Sequence, residues 1–462
     1  MHKFYLSLLL TALPLITFAK AGINIYLYNQ STSPITITQK DDSGKIEKTQ
    51  QVVPRDTVLF NYVATGQIFD LHLTKYFQIL KDNSVIASIS LKLDNNWNGY
   101  SYKFKDLQGN IGLDDMTKDW HSWYGTPGVT ITAYPEKIEI TNSDILNNVK
   151  RVLIFGDSVS DKGTLFEYTK GIIPTSRCYY NGMFSNSDVW SKLLKDDLGP
   201  FGIEVSNYSV GGATAIFNSD FEHLPYSLKG QLEVFQTNAS LKGWNNFNQF
   251  LAINWIGGND YLTEPADLSA DKIASLTSNV VSSIKQNTIE LINKGISKFV
   301  FINQPDLSLV PESRLDLKNT TATEALSTQH NQKLQEMVAQ LQTEFPNKTF
   351  KLIDIYSLFR SGINNINEFN QKYGTSITNV TDSCWQGGYT AFEDRGSIAN
   401  MALPNTADIR MALMVAKSGE MSGDPDDYFF WDRVHPTKQV QQALYNYILA
   451  CLNVTVKQTA SQ

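Results

Sequence analysis

A chain of 462 residues exceeds what one hydrophobic core usually organises, so two domains are expected, one of them large. Apolar residues make up 42% and charged residues 18%, a balance that excludes a disordered chain. The net charge of −7 and pI near 5.5, with no Lys/Arg run, argue against nucleic acid as a partner and require any lipid contact to be mainly apolar.

The first residues have a short basic start, an apolar stretch interrupted by Pro14, and Ala19-Lys20-Ala21 as a small-x-small cleavage site. Residues 1–21 therefore read as a secretion signal, too short and too interrupted for a membrane anchor, and the mature protein is expected to be soluble and exported. From Gly22 the pattern is short, β-branched and alternating: Ile23–Tyr28, Ile35–Thr38, Val58–Tyr62, Phe69–Leu73, Val85–Leu91, Ser101–Phe104 and Val129–Ala133. Such spacing predicts a small all-β sandwich or barrel over 22–148, closing in a polar connector that begins at Asn142-Ser143-Asp144. The rhythm then changes. Strands are predicted at Arg151–Phe155, Ile203–Tyr208, Leu251–Ile256, Lys298–Asn303 and Thr349–Asp354, with amphipathic helices over 271–294 and 321–345 and a helix at the C-terminus. Alternation of this kind predicts an α/β domain over 149–462, a parallel sheet between helices with its functional groups beyond the strand carboxyl ends.

Four short blocks in that region carry chemistry. Gly156-Asp157-Ser158-Val159-Ser160-Asp161 follows the first strand, Asn207-Tyr208-Ser209-Val210-Gly211-Gly212-Ala213 the second, and Gly257-Gly258-Asn259-Asp260 the third. The last is Asp432-Arg433-Val434-His435-Pro436. A serine hydroxyl attacks an ester only when an imidazole takes its proton, and the imidazole needs a carboxylate to fix its tautomer. Ser158, His435 and Asp432 supply those three types. Singly, each block has a plainer explanation: Asp157, Ser158, Asp432 and His435 as helix caps, the glycine pairs as turns, Asn259 as a left-handed turn residue. There is no Gly-x-Ser-x-Gly elbow, and no His-Glu-x-x-His or Cys-x-x-Cys from which to expect a metal; no cofactor is expected.

The four blocks, in this order over about residues 150–450, resemble those of the SGNH or GDSL hydrolases. The resemblance implies a flavodoxin-like three-layer fold, Ser158 as nucleophile, His435 as base and Asp432 as its partner. It also implies an oxyanion hole made of the backbone N–H groups of Ser158 and Gly212 and the side-chain amide of Asn259, Gly211 being the adjacent alternative to Gly212. The β-rich N-terminal extension, Ser383-Cys384-Trp385-Gln386-Gly387-Gly388-Tyr389 and Asp427–Pro436 resemble more narrowly the secreted bacterial glycerophospholipid:cholesterol acyltransferases and thermolabile, lecithin-dependent haemolysins. That branch implies phospholipase A and lysophospholipase activity on phospholipid or lysophospholipid, transient contact with a membrane surface, and cholesterol as a further acyl acceptor. Trp385, Tyr389, Phe392, Tyr428, Phe429, Phe430 and Trp431 lie near the base, lining an acyl-chain groove or resting at an interface, or else packing in the core. Two other readings stay open: an esterase for small soluble or acetylated-sugar esters, and an adhesion module with inert hydrolase blocks.

Of the three cysteines, Cys178 and Cys384 lie in loop-like stretches and can pair, while Cys451 is expected to be a buried thiol on the last helix. A small disulfide loop before the last block, common in that branch, is not available, because Cys384 is the one cysteine between Cys178 and Cys451.

Overall fold

The computed structural model describes residues 22–459 except 30–33, 54–56, 64–70, 97–98, 110, 114–118, 123–127, 134–136, 142–144, 177, 217–224, 263, 266, 316–319 and 390–418. The signal segment, the start of the connector, His223 and Phe392 thus lie outside the described residues. The chain divides into two compact units, one running to Ile138 together with the terminal residues from Gln458, the other spanning Glu139–Lys457.

The N-terminal unit holds two sheets. One has six antiparallel strands in the order Ile46–Val52, Ile35–Lys40, Leu71–Lys81, Ser84–Asn96, Gly99–Gly109, Asp119–Ser122. The other runs Thr57–Val63, Gly22–Asn29, Gly128–Ala133, Ile111–Leu113, with its two central strands parallel. Ile25, Leu27 and Phe60 from the second sheet share one core with Ile37, Phe77 and Ile89 from the first, and the Phe60 and Phe77 rings meet edge-on at 5.4 Å. Between sandwich and barrel, the structure is therefore a sandwich. Ile46–Val52 escapes sequence pattern because it is an edge strand with almost no buried face: of Ile-Glu-Lys-Thr-Gln-Gln-Val only Val52 is buried.

The second unit is built on five parallel strands, β1 (Arg151–Gly156), β2 (Glu204–Asn207), β3 (Phe250–Trp255), β4 (Lys298–Ile302) and β5 (Thr349–Ile353), in the spatial order β2-β1-β3-β4-β5. This is the flavodoxin-like order. Every residue of β3, and all but the first of β1, is buried, as unbroken apolar runs covered on both faces must be. Among the described residues, the helices of nine residues or more are α1 (Trp190–Leu198), α2 (Leu228–Leu241), α3 (Ala270–Asn293), α4 (Thr320–Glu344), α5 (Ile355–Asn364) and α6 (Lys438–Cys451). Helices α3 and α4 pack on each other, as do α1 and α6. Among the described residues no helix is long and apolar enough to cross a membrane.

All five predicted strands and both predicted long helices are present, with ends moved by at most one residue. Helices α1, α2 and α5 go beyond the sequence reading. In α1 the buried positions include Ser191, Asp196 and Asp197, and Asp197 accepts a hydrogen bond from the Tyr445 hydroxyl of α6. A polar buried face does not show as an apolar stripe. No disulfide joins Cys178 and Cys384: Cys384 is buried with its Sγ 3.6 Å from the Gly423 carbonyl, and Cys451 is half-buried rather than buried, at the last turn of α6.

Candidate active site

The site begins where β1 runs out. A Cβ on Gly156 would lie 2.7 Å from the Trp255 carbonyl of β3, so only glycine lets the neighbouring strand ends come this close. Beyond it the chain turns, Ser160 N–H donating to the Asp157 carbonyl at 3.0 Å, and Ser158 sits buried at the switch point between β1 and β3. Asp161 closes the turn: its carboxylate accepts from the N–H groups of Gly163 (2.9 Å), Thr164 (2.5 Å) and Leu165 (3.1 Å). It also accepts from Gly211 N–H at 2.8 Å, tying the first block to the second. Burial raises its pKa to about 6, against the pull of those four donors.

The second block follows β2. Asn207 donates to the Ser160 carbonyl (2.7 Å) and to Ser191 Oγ (3.0 Å) while accepting from Ser209 N–H, and Gly212 takes a left-handed φ of 77°. The third block follows β3, where Asn259 donates through Nδ2 to the Ala213 carbonyl at 3.1 Å. Asp260 beside it accepts from Ala215 N–H (2.8 Å) and Ile216 N–H (3.1 Å), and burial pushes its carboxyl up to about 7. The loops after β1, β2 and β3 are thus bonded to one another before any ligand arrives.

His435 meets this assembly from the last block. Its Nε2 lies 2.7 Å from Ser158 Oγ, and its Nδ1 lies 2.8 Å from Asp432 Oδ2 and 3.0 Å from Oδ1. Asp432 Oδ1 also accepts from the N–H groups of Val434 and His435, each at 2.8 Å, so the loop wraps its own carboxylate. Asp432 and His435 are fully buried and Ser158 nearly so. With Nδ1–H given to the carboxylate, Nε2 faces the serine as an acceptor.

A segment the sequence reading did not single out, Tyr179–Ser191, binds the two distant parts together. Trp190 Nε1 donates to Ser160 Oγ (3.1 Å) and Ser191 Oγ to the Ser160 carbonyl (2.7 Å), on the serine side. On the histidine side, Ser185 Oγ donates to the Pro436 carbonyl (2.9 Å), Asn186 Oδ1 accepts from Lys438 N–H (2.7 Å), and the Phe184 ring lies 5.0 Å from the imidazole. Tyr179 donates its hydroxyl to Asp432 Oδ2 at 2.9 Å. The signal was available in Tyr179-Tyr180-Asn181-Gly182-Met183-Phe184-Ser185-Asn186, an aromatic and turn-rich run just before a helix.

A cleft of about 520 Å³, including its open mouth, extends from Ser158 and Asn259. Asp157 and Gln304 give it polar edges, and Leu262, Leu307, Val310 and Phe359 its apolar walls. These walls decide between the readings left open for the aromatic residues near the base. Trp385, Tyr389, Phe429, Phe430 and Trp431 are buried and none of them lines the cleft; Phe429, for example, packs on Phe359 at 5.4 Å and Phe369 at 5.7 Å. Tyr428 is half-buried and is likewise absent from the cleft. Of the aromatics expected there, Tyr389 stays at the site by another route, its hydroxyl 3.2 Å from His435 Nδ1. His330 does not compete as a base: it is fully buried in α4 against the Tyr261 hydroxyl (2.7 Å), and burial depresses it to about 3. Among the described residues no group of histidine, cysteine or acidic side chains could hold a metal.

Comparison with known proteins fits this geometry. A family model described as GDSL-like lipase/acylhydrolase matches residues 152–448, a span containing all four blocks. The chain is 28% identical over 311 residues to a phosphatidylcholine-sterol acyltransferase of Aeromonas hydrophila, covering 64% of this chain and 87% of that protein. It is also 28% identical over 226 residues to the secreted effector protein SseJ of Salmonella typhimurium, of which it spans about half (51%, and 48% of this chain). A GDSL esterase/lipase of Arabidopsis thaliana matches at 23% over 333 residues, 64% of this chain and 87% of that protein. The parallel sheet, the ordered blocks and the matched span together make the chain a member of the GDSL-like lipase/acylhydrolase family.

Proposed function

We propose that this protein is a secreted lipolytic acyl hydrolase, a phospholipase A and lysophospholipase, with Ser158 as nucleophile, His435 as general base and then general acid, and Asp432 as the partner of the imidazole. The observation that carries the reading is the 2.7 Å contact between His435 Nε2 and Ser158 Oγ, with Asp432 on the opposite ring nitrogen. In acylation Ser158 Oγ attacks the ester carbonyl, its proton passes to Nε2, and the imidazolium returns that proton to the leaving alkoxide. Water, or a sterol hydroxyl, then repeats the sequence on the acyl-serine in reverse.

The negative oxygen of each tetrahedral intermediate is assigned to the N–H groups of Ser158 and Gly212 and to the Asn259 amide. Asn259 brings two N–H donors, and the bond of its Nδ2 to Ala213 fixes the amide plane among the residues lining the cleft. The apolar walls at Leu262, Leu307, Val310 and Phe359 suit an acyl chain, and the relative named for phosphatidylcholine and sterol supports a phospholipid donor with cholesterol as a further acceptor. We assign residues 1–21 as signal peptide, 22–148 as the β-rich domain and 149–462 as the hydrolase domain; the leader and the relative named as secreted favour export, and with it transient contact at a membrane surface. No cofactor enters the reaction.

The test is turnover of phosphatidylcholine and lysophosphatidylcholine micelles, with and without cholesterol, by wild type and by Ser158→Ala, with fatty acid, lysolipid and cholesteryl ester identified among the products. Ser158→Ala is expected to fold and to lose at least about 10³-fold in kcat, the scale on which serine triads fail when the nucleophile is removed. Retained turnover in that variant rules the mechanism out; hydrolysis confined to short soluble esters rules out the lipid substrate.

A further inference from the structure

Asp432 is fully buried, so its carboxylate depends wholly on protein donors. Oδ1 receives two backbone N–H groups from its own loop. Oδ2 receives His435 Nδ1–H at 2.8 Å and the Tyr179 hydroxyl at 2.9 Å, and Tyr179 comes from a segment 253 residues away in sequence. Its ring cannot swing aside. It stands edge-on to Tyr389 (5.5 Å), Phe184 (6.2 Å) and Trp431 (6.3 Å), and it is fully buried, with no solvent to take over the bond if the hydroxyl were lost. The other tyrosine hydroxyl at the site, that of Tyr389, meets the imidazole nitrogen rather than the carboxylate. Among the described residues, charged side chains near the loop include Arg433 and Glu312, paired at 3.6 Å, with Glu312 N–H donating to the Arg433 carbonyl at 2.8 Å, while Asp157 adjoins Ser158.

We propose that Tyr179 is a positioning residue for the reaction: its hydroxyl holds the Asp432 carboxylate in the plane of the His435 ring and, by drawing charge from Oδ2, sets how strongly that carboxylate stabilises the imidazolium. This rests on the triad reading above and deepens it. Without the hydroxyl, Oδ2 would have the imidazole alone to pair with, the imidazolium would be favoured, and the carboxylate would be freer to rotate about its side chain. Two effects follow. The base is held in its protonated, inactive form to higher pH, and fewer encounters find Nε2 aligned on Ser158. Tyr179 is not among the residues lining the cleft, so substrate binding is spared.

The experiment uses the full chain and p-nitrophenyl butyrate, a soluble ester that removes interfacial complications. Tyr179→Phe is expected to lower kcat about tenfold, the value of one hydrogen bond to a buried charge, with KM changed less than twofold. The acidic limb of its kcat/KM profile is expected to move to higher pH by about half a unit or more. A folded Tyr179→Phe with unchanged kcat and an unmoved limb overturns the proposal, as does a loss carried by KM alone. Should Tyr179→Phe fail to fold by circular dichroism, 3-fluorotyrosine placed at 179 keeps the ring and strengthens the donor. The limb is then expected to move to lower pH, and an unmoved limb overturns the proposal. Ser158→Ala assayed alongside separates the two levels: turnover retained there removes the triad reading itself, whereas an inactive Ser158→Ala beside an unaltered Tyr179→Phe removes only the role of Tyr179.

Discussion

At Gly211 an added Cβ would fall 2.4 Å from Phe184 Cε2 and 2.9 Å from Leu165 Cδ2, well inside van der Waals contact. Phe184 cannot yield without moving what it supports, because its ring lies 5.0 Å from that of His435 and 5.1 Å from that of Tyr389. Gly211→Ala is therefore expected to destabilise the protein by about 1–3 kcal/mol through overpacking, and to cost activity beyond what that loss of stability explains. The measurement is kcat/KM of the folded fraction at a temperature well below its Tm; a drop of about tenfold or more is expected, since misplacing a catalytic group by a fraction of an ångström is felt in the rate. Activity equal to wild type would mean that Phe184 does not hold the imidazole. This residue also shows what sequence can and cannot convey. Ser158, Asp432 and His435, which the structure brings together, are legible because the proposed acyl-serine chemistry admits few side-chain types at those positions. Phe184 and Tyr179 are written with the same letters as any core aromatic, and only coordinates separate a ring that packs from a ring that aims another side chain.

Loops rather than strands carry the pH dependence expected of this fold. Asp260 and Asp161 are carboxylates buried among backbone N–H groups, one gathering the chain after Gly212 and the other gathering the turn after Ser158 to Gly211. Burial lifts Asp260 from 3.8 to about 7, so between those values the folded chain keeps a proton that the unfolded chain has released. Stability from this group is therefore fully present below its unfolded value and is lost as pH rises through about 7. Asp161, lifted to about 6, acts in the same direction over a lower window, whereas His330, depressed to about 3, opposes both as pH falls below 6.5. Comparison with Asp260→Asn cancels the last two. Between pH 5 and 8, wild type is expected to lose stability relative to the variant, on the order of 3 kcal/mol at most, read as a steeper fall of its Tm with pH. Parallel Tm curves would show that Asp260 titrates as an ordinary carboxyl. At this scale the sequence was informative where an element has one simple environment. Strands β1, β3 and β4 are legible as apolar runs, and α3 as an apolar stripe, while α1 hides because Ser191, Asp196 and Asp197 occupy its buried face.

Across the whole chain two hydrophobic cores form with no buried residue in common among those described, one built around Ile37, Phe77 and Ile89, the other around Leu153, Ile253, Val300 and Leu444. A change of rhythm from alternating short strands to strand–helix repeats is visible in the sequence, whereas the face-to-face arrangement of the N-terminal sheets is not, because pairing across a sandwich leaves no mark on the alternation of either sheet. Separate cores carry a thermodynamic consequence. A ligand that binds only the folded form of one unit stabilises that unit alone, and Ser158, which a fluorophosphonate would modify, belongs to the unit spanning Glu139–Lys457. Calorimetry of the full chain is therefore expected to show two transitions, of which the adduct raises one by several degrees, about 2 °C for each kcal/mol in a unit of this size, and leaves the other in place. A single transition that moves as a whole would mean that neither core is stable once the other is lost. The sandwich would then belong to the stability of the hydrolase, and its substitutions would change activity through folding rather than through the site.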